Sequence, residues 1–118
     1  MDKIRIHNLK IHANHGVHEF EKINGQIFEI DVEMHADIKS SMETDDIVDT
    51  IDYDMVVKSI KKIFTKKNYN LVETVGKRIC DYLLKEYPVE KIILRIRKPD
   101  APIKADFDSV ELEFERKK

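Results

Sequence analysis

Apolar and polar residues alternate most regularly over Gln26–Ile38, where Phe28, Ile30, Val32, Met34 and Ala36 share one face and Glu29, Asp31, Glu33 and His35 the other. A period of two marks a strand, because successive side chains leave a strand on opposite sides. Ile4-Arg5-Ile6 alternates as well, and Leu9 and Ile11 resume the pattern after a slip at His7-Asn8, so a first strand with a bulge is predicted there. His15-Gly16 breaks it, and Val17–Gly25, which holds Glu19 and Glu21, is too long for a tight hairpin. Late in the chain, Ile92, Leu94, Ile96 and Lys98 share the apolar face of a third strand, with Arg95 and Arg97 opposite. Pro99 has no N–H to donate and stops the ladder. Pro99-Asp100-Ala101-Pro102 makes a stiff loop, and Ser109–Glu115 returns as a fourth strand with Val110, Leu112 and Phe114 inward.

Helical spacing replaces alternation between the two strand pairs. Val56, Ile60, Ile63 and Phe64 form one stripe, with Asp52 placed to cap the helix and Lys61, Lys62, Lys66 and Lys67 toward its C-terminus. Val72, Val75, Ile79 and Leu83 form the stripe of a second helix, which Pro88 ends. Asn70 and Glu73 have the spacing of a capping box at its start. Cys80, beside the stripe, reads as a small core residue. Lys39–Asp54 is acidic and reads as a solvated loop. The order is therefore ββααββ, an α+β chain in which two helices cover one face of a four-stranded antiparallel sheet. The other face carries mixed charges that can meet water. Both edges are open and invite pairing with another chain, and closing several subunits edge to edge into a barrel would remove them.

Composition narrows the class. With 118 residues the chain reads as one domain, residues 1–118, and 42% hydrophobic with 37% charged residues describes a soluble globular protein. A net charge of −2 and a pI near 6.2 argue against nucleic acid or an anionic membrane as partner. The start, Met1-Asp2-Lys3-Ile4-Arg5, reaches alternating residues at once, so no signal segment is expected, and no apolar run reaches membrane-spanning length. A single cysteine cannot make an internal disulfide, which suits the cytoplasm.

Candidate chemistry is sparse. Lys98 leaves its strand on the apolar side, and a lysine at the mouth of an apolar pocket can have a lowered pKa suited to proton transfer. A lysine snorkelling at a sheet edge would read the same way. His12, His15 and His18 are three apart, but on a strand and loop, and no carboxylate or cysteine spacing completes a zinc pattern. No Gly-x-Ser-x-Gly turn and no glycine-rich phosphate loop occurs. Glu21, Tyr53 and Glu73 remain beside Lys98. Each has a plain alternative: a surface acid among 23 acidic residues, packing at a helix start, and the second half of a capping box.

Taken in order, His15-Gly16-Val17, Glu21, Gly25–Val32, Asp45-Asp46, Asp49–Tyr53, Asn70–Glu73 and Lys98–Ile103 resemble the dihydroneopterin aldolase family of folate biosynthesis across nearly the whole chain. The resemblance implies the tunnelling fold, with four subunits closing a barrel that often stacks into an octamer. It implies that Lys98 transfers protons and that Glu21 helps hold it and a reacting water. Glu73 would anchor the 2-amino and N3–H donors of a pterin by charge-assisted pairing. Val72 would add backbone contact, while Tyr53 and Ile51 would come from a neighbouring subunit to wall the ring, Tyr53 assisting a late protonation. Neither a metal nor another cofactor is implied. A dihydroneopterin triphosphate 2′-epimerase of the same fold, for which Lys104 is the obvious phosphate partner, and a non-catalytic pterin-binding module are the alternatives. Lys104-Ala105, where many members have Pro-Gly, and His18, where an apolar residue is common, depart from the family pattern.

Overall fold

A computed structural model describes all residues, 1–118. The strands are β1 (Asp2–Ala13), β2 (Gln26–Ala36), β3 (Lys91–Lys98) and β4 (Val110–Lys117). They form one antiparallel sheet in the order β1-β2-β3-β4, so β1 and β4 are its edges. The slip at His7-Asn8 is a bulge: pairing jumps from Ile6–Val32 to Leu9–Ile30, and Asn8 takes a left-handed φ of 54°.

Four helices occur, two more than the periodicity predicts. The expected pair, here α3 (Tyr53–Lys66) and α4 (Val72–Glu86), lies on one face of the sheet, α3 against β1 and α4 against β3 and β4. Phe28, Ile30, Val32, Met34, Ile92, Leu94 and Ile96 of the sheet are buried against Val56, Ile60, Phe64, Val75, Ile79 and Leu83. These are the stripes that the spacing picks out. Gly76 lets α4 approach closely, since a Cβ there would stand 2.7 Å from the Phe114 ring.

The two additional helices lie in stretches read as loops. A short helix, α1 (Glu19–Asn24), fills the first connection. Another, α2 (Lys39–Thr44), precedes a 3-10 turn at Ile47–Asp49, so the acidic segment is partly ordered rather than only a solvated loop. Asp46 and Thr44 make the local hydrogen bonds there, Asp46 Oδ1 accepting from the Val48 amide and Thr44 Oγ1 donating to Asp49.

The face away from the helices is charged, as the alternation predicts. The Arg97 guanidinium is forked onto Asp31 at 2.7 and 2.9 Å and also reaches Glu111. These bonds hold the Asp31 carboxyl at about 2. Arg5 and His35 do the same for Glu33, also at about 2.

Candidate active site

Lys98 stands at the end of β3 and points to the helix side, as its strand parity requires. The sequence pattern alone put it in an apolar pocket. The structure instead gives it a carboxylate partner, its Nζ lying 2.7 Å from Glu21 Oε2. Glu21 is 2% exposed and the Lys98 side chain 15%. The Phe28 ring lies beside the pair, with its centroid 5.9 Å from Nζ. The apolar walls expected around Lys98 therefore exist, but they enclose an ion pair and not a lone amine.

Glu21 is held on every side. Gln26 Nε2 donates to the same Oε2 at 2.8 Å, and the His18 amide donates to Oε1 at 3.2 Å. Burial opposes ionisation of this carboxyl. The hydrogen bonds from Lys98, Gln26 and His18 outweigh burial and hold its pKa below the ordinary value. The carboxylate lies so close over Gly16 that a Cβ there would sit 2.3 Å from Glu21 Cδ. Gly16 also has φ +149°, a conformation that side-chain-bearing residues rarely adopt. The break read at His15-Gly16 is thus the seat of the acid.

His15 fixes that seat. It is fully buried, and its ring sits among Phe28, Phe64 and Tyr69. The Tyr69 amide donates to Nδ1 at 3.0 Å, so the ring proton is on Nε2, which donates to the Phe64 carbonyl at 2.7 Å. Both nitrogens are satisfied in the neutral imidazole, and burial lowers its pKa. The Gly16 amide donates to the Tyr69 carbonyl at 3.0 Å, which completes a clasp between the end of β1 and the segment joining α3 to α4. The sequence offered His15 as a possible metal ligand, as part of the strand break and as part of the family-like His15-Gly16-Val17 stretch, with no sign of this supporting role. No group of three or more His, Cys, Asp or Glu side chains is arranged to hold a metal, and the second nitrogen-bearing candidate, His12, has Nε2 3.1 Å from the Asn24 carbonyl.

The clasp brings the start of α4 to a cavity of about 260 Å³ whose wall also contains Lys98 and Glu21. Val72 and Glu73 line it, Val72 buried and Glu73 exposed. The expected capping box is absent: the helix begins at Val72 after Leu71, and no side chain caps it. Leu71 occupies the cap position because the chain enters one residue later than the Asn70–Glu73 spacing suggests. The Glu73 carboxylate is consequently free, on the first turn of a 15-residue helix and facing shared space with Lys98. Tyr53 and Ile51 lie elsewhere. Tyr53 is 62% exposed at the start of α3, Ile51 is buried in its own core, and neither lines the cavity. His18 does line it, whereas Lys104 does not.

A dihydroneopterin aldolase (FolB) family model matches residues 4–115. The chain belongs to the dihydroneopterin aldolase family. The family's Bacillus subtilis dihydroneopterin aldolase is 34% identical over 119 residues, covering 100% of this chain and 99% of that protein. A Vibrio cholerae structure assigned as a dihydroneopterin aldolase superposes with a TM-score of 0.92 at 27% identity, over 100% of this chain and 98% of that one. The Escherichia coli dihydroneopterin aldolase, solved in complex with neopterin, gives 0.90 at 25% identity, over 98% and 99%. The α+β class and the four-stranded antiparallel sheet expected from the sequence are therefore those of the family. No helix is long and apolar enough to cross a membrane.

Proposed function

We propose that the chain is a 7,8-dihydroneopterin aldolase, a lyase that splits C1′–C2′ of the trihydroxypropyl side chain. The products are 6-hydroxymethyl-7,8-dihydropterin and glycolaldehyde. The observation that carries this reading is the Lys98–Glu21 pair at 2.7 Å in a cavity whose wall also holds the unpartnered carboxylate of Glu73. Glu73 suits the 2-amino and N3–H edge of a pterin, two donors side by side, and Val72 adds its backbone to the same wall. The E. coli relative with neopterin bound supports a pterin as the ligand.

The reaction needs a base for the 2′-hydroxyl and somewhere for the bonding electrons to go. The substrate supplies the sink, since the N5=C6 imine accepts the pair as C1′–C2′ breaks and the C2′ fragment leaves as an aldehyde. A proton delivered at N5 balances that charge in the enol intermediate. Protonation at C1′ with loss of the N5 proton then restores the N5=C6 imine and gives the hydroxymethyl group. Lys98 is the proton-transfer group, with Glu21 and through it Gln26 and Gly16 fixing its position. A metal or a lysine Schiff base is not required, because the imine does their work. Tyr53 and Ile51 wall the pterin from a neighbouring subunit, in a homo-oligomer of four or eight chains joined at the β1 and β4 edges.

Incubation with 7,8-dihydroneopterin and, separately, its triphosphate, followed by chromatography of the pterins, tests the assignment. Release of 6-hydroxymethyl-7,8-dihydropterin from the first is the expected result. Epimerised triphosphate as the sole product would replace the aldolase reading with the epimerase, and pterin binding without turnover would leave only a binding module.

A further inference from the structure

A second cavity, of about 270 Å³, lies between the last turns of α3 and the outer face of α4 and shares no residue with the site above. Its wall is Ile63, Lys66, Lys67, Tyr69, Arg78 and Tyr82. Three of the six are cations and none is an acid. The ion pairs along these helices are Lys58–Asp54 and Lys77–Asp81, which leave all three groove cations without a carboxylate. The Arg78 guanidinium lies 5.8 Å from the centre of the Tyr69 ring, so it is held over an aromatic face, and none of its N–H groups is taken by a carboxylate.

Complementing the helix dipole accounts for only part of this. The C-terminus of α3 presents roughly half a negative charge, which one lysine in the last turn balances. Lys67 lies beyond that turn and Arg78 belongs to a different helix, so the groove keeps an excess of positive charge. Two tyrosines and an isoleucine beside that charge suit a flat ring carrying an anion. We propose that this groove is a second ligand site, binding a planar heteroaromatic phosphate ester of the nucleotide class. The ring rests against the exposed Tyr82, and the phosphates are taken by Lys66, Lys67 and Arg78, the last held in place over Tyr69. This inference stands apart from the aldolase reading, because none of Lys66, Lys67, Arg78 and Tyr82 is assigned a part in it; Tyr69 alone borders both sites, its ring packing beside His15.

ATP in the presence of EDTA is the probe, since adenine lacks the paired donors that suit Glu73. Calorimetric titration of the full chain should show one ATP per chain, with the same affinity when neopterin saturates the other cavity. Binding should weaken as salt rises, since these cations are exposed. The Lys67→Ala/Arg78→Ala double variant should lose affinity by at least about tenfold, as should replacement of ATP by adenosine or by tripolyphosphate. Dihydroneopterin turnover and melting temperature of the variant should stay at wild-type values, which separates a lost site from a lost fold. The proposal is overturned if ATP fails to bind at up to about 1 mM. Equal affinity in the double variant, competition by neopterin, or tripolyphosphate binding as tightly as ATP would each overturn it too.

Discussion

Lys98 and Glu73 are both charged and border one cavity, yet removing each should damage a different quantity. Loss of a positioned proton-transfer group costs about 10²–10⁴ in rate. Lys98→Ala should therefore lower kcat by about that factor while product pterin still binds. Glu73→Ala removes an ionised acceptor from two ring donors, each such bond being worth roughly 1.5–3 kcal/mol, so pterin affinity should fall first. Stability should hardly change, because the Glu73 carboxylate caps nothing. Titrating both variants with product pterin and following turnover separates the two roles, and normal pterin affinity in Glu73→Ala would remove the anchor. His15 gives a second test at this scale. Its folded pKa lies below the ordinary 6.5, so the unfolded chain takes up a proton that the folded chain resists. Stability from this residue is complete above about pH 6.5 and is lost as pH falls below it. Denaturant titrations from pH 7 to 5 should show declining stability in the wild type and a flatter profile in His15→Asn. The contributions of Asp31 and Glu33 fall in a separate window, lost only as pH drops from about 4 toward 2.

At the scale of elements, the periodic segments were readable and the short ones were not. Each strand and both long helices have an apolar face that repeats, and burial of that face is what the pattern encodes. Glu19–Asn24 and Lys39–Thr44 are single short turns of helix with one buried residue and none, so no stripe exists to be read. Lys98 could be placed from strand parity. The burial of Glu21 could not, since its contacts with Lys98 lie 77 positions away and its seat depends on a missing Cβ at Gly16. Only the family resemblance placed the two together. Capping shows the same limit: Asp52 and Asn70 look alike as caps in sequence, but Asp52 Oδ1 accepts from the Asp54 and Met55 amides while Asn70 caps nothing. Asp52→Ala should accordingly cost about 1 kcal/mol, within a range of about 0.5–2, and Asn70→Ala close to none. Thermal melts of the two variants check this, and equal losses would contradict the helix start at Val72.

For the whole molecule, the extents of 52 × 27 × 21 Å describe a long sheet backed by helices on one side only. Its edges β1 and β4 have no partner within the chain, and Tyr53 stands exposed away from Lys98's cavity. Light scattering should therefore find an assembly of four or eight chains, and a fully active monomer would defeat the shared-site reading. The position of Tyr53 also has a genetic consequence. If each working site draws Lys98 from one chain and Tyr53 from the next, then two dead proteins can cure each other. Lys98→Ala and Tyr53→Ala, each inactive alone, should regain up to about a quarter of wild-type turnover when unfolded together and reassembled at random. In that case the unit on which a mutation acts is the neighbourhood of chains, and damage in one copy is partly hidden by the intact residue of another.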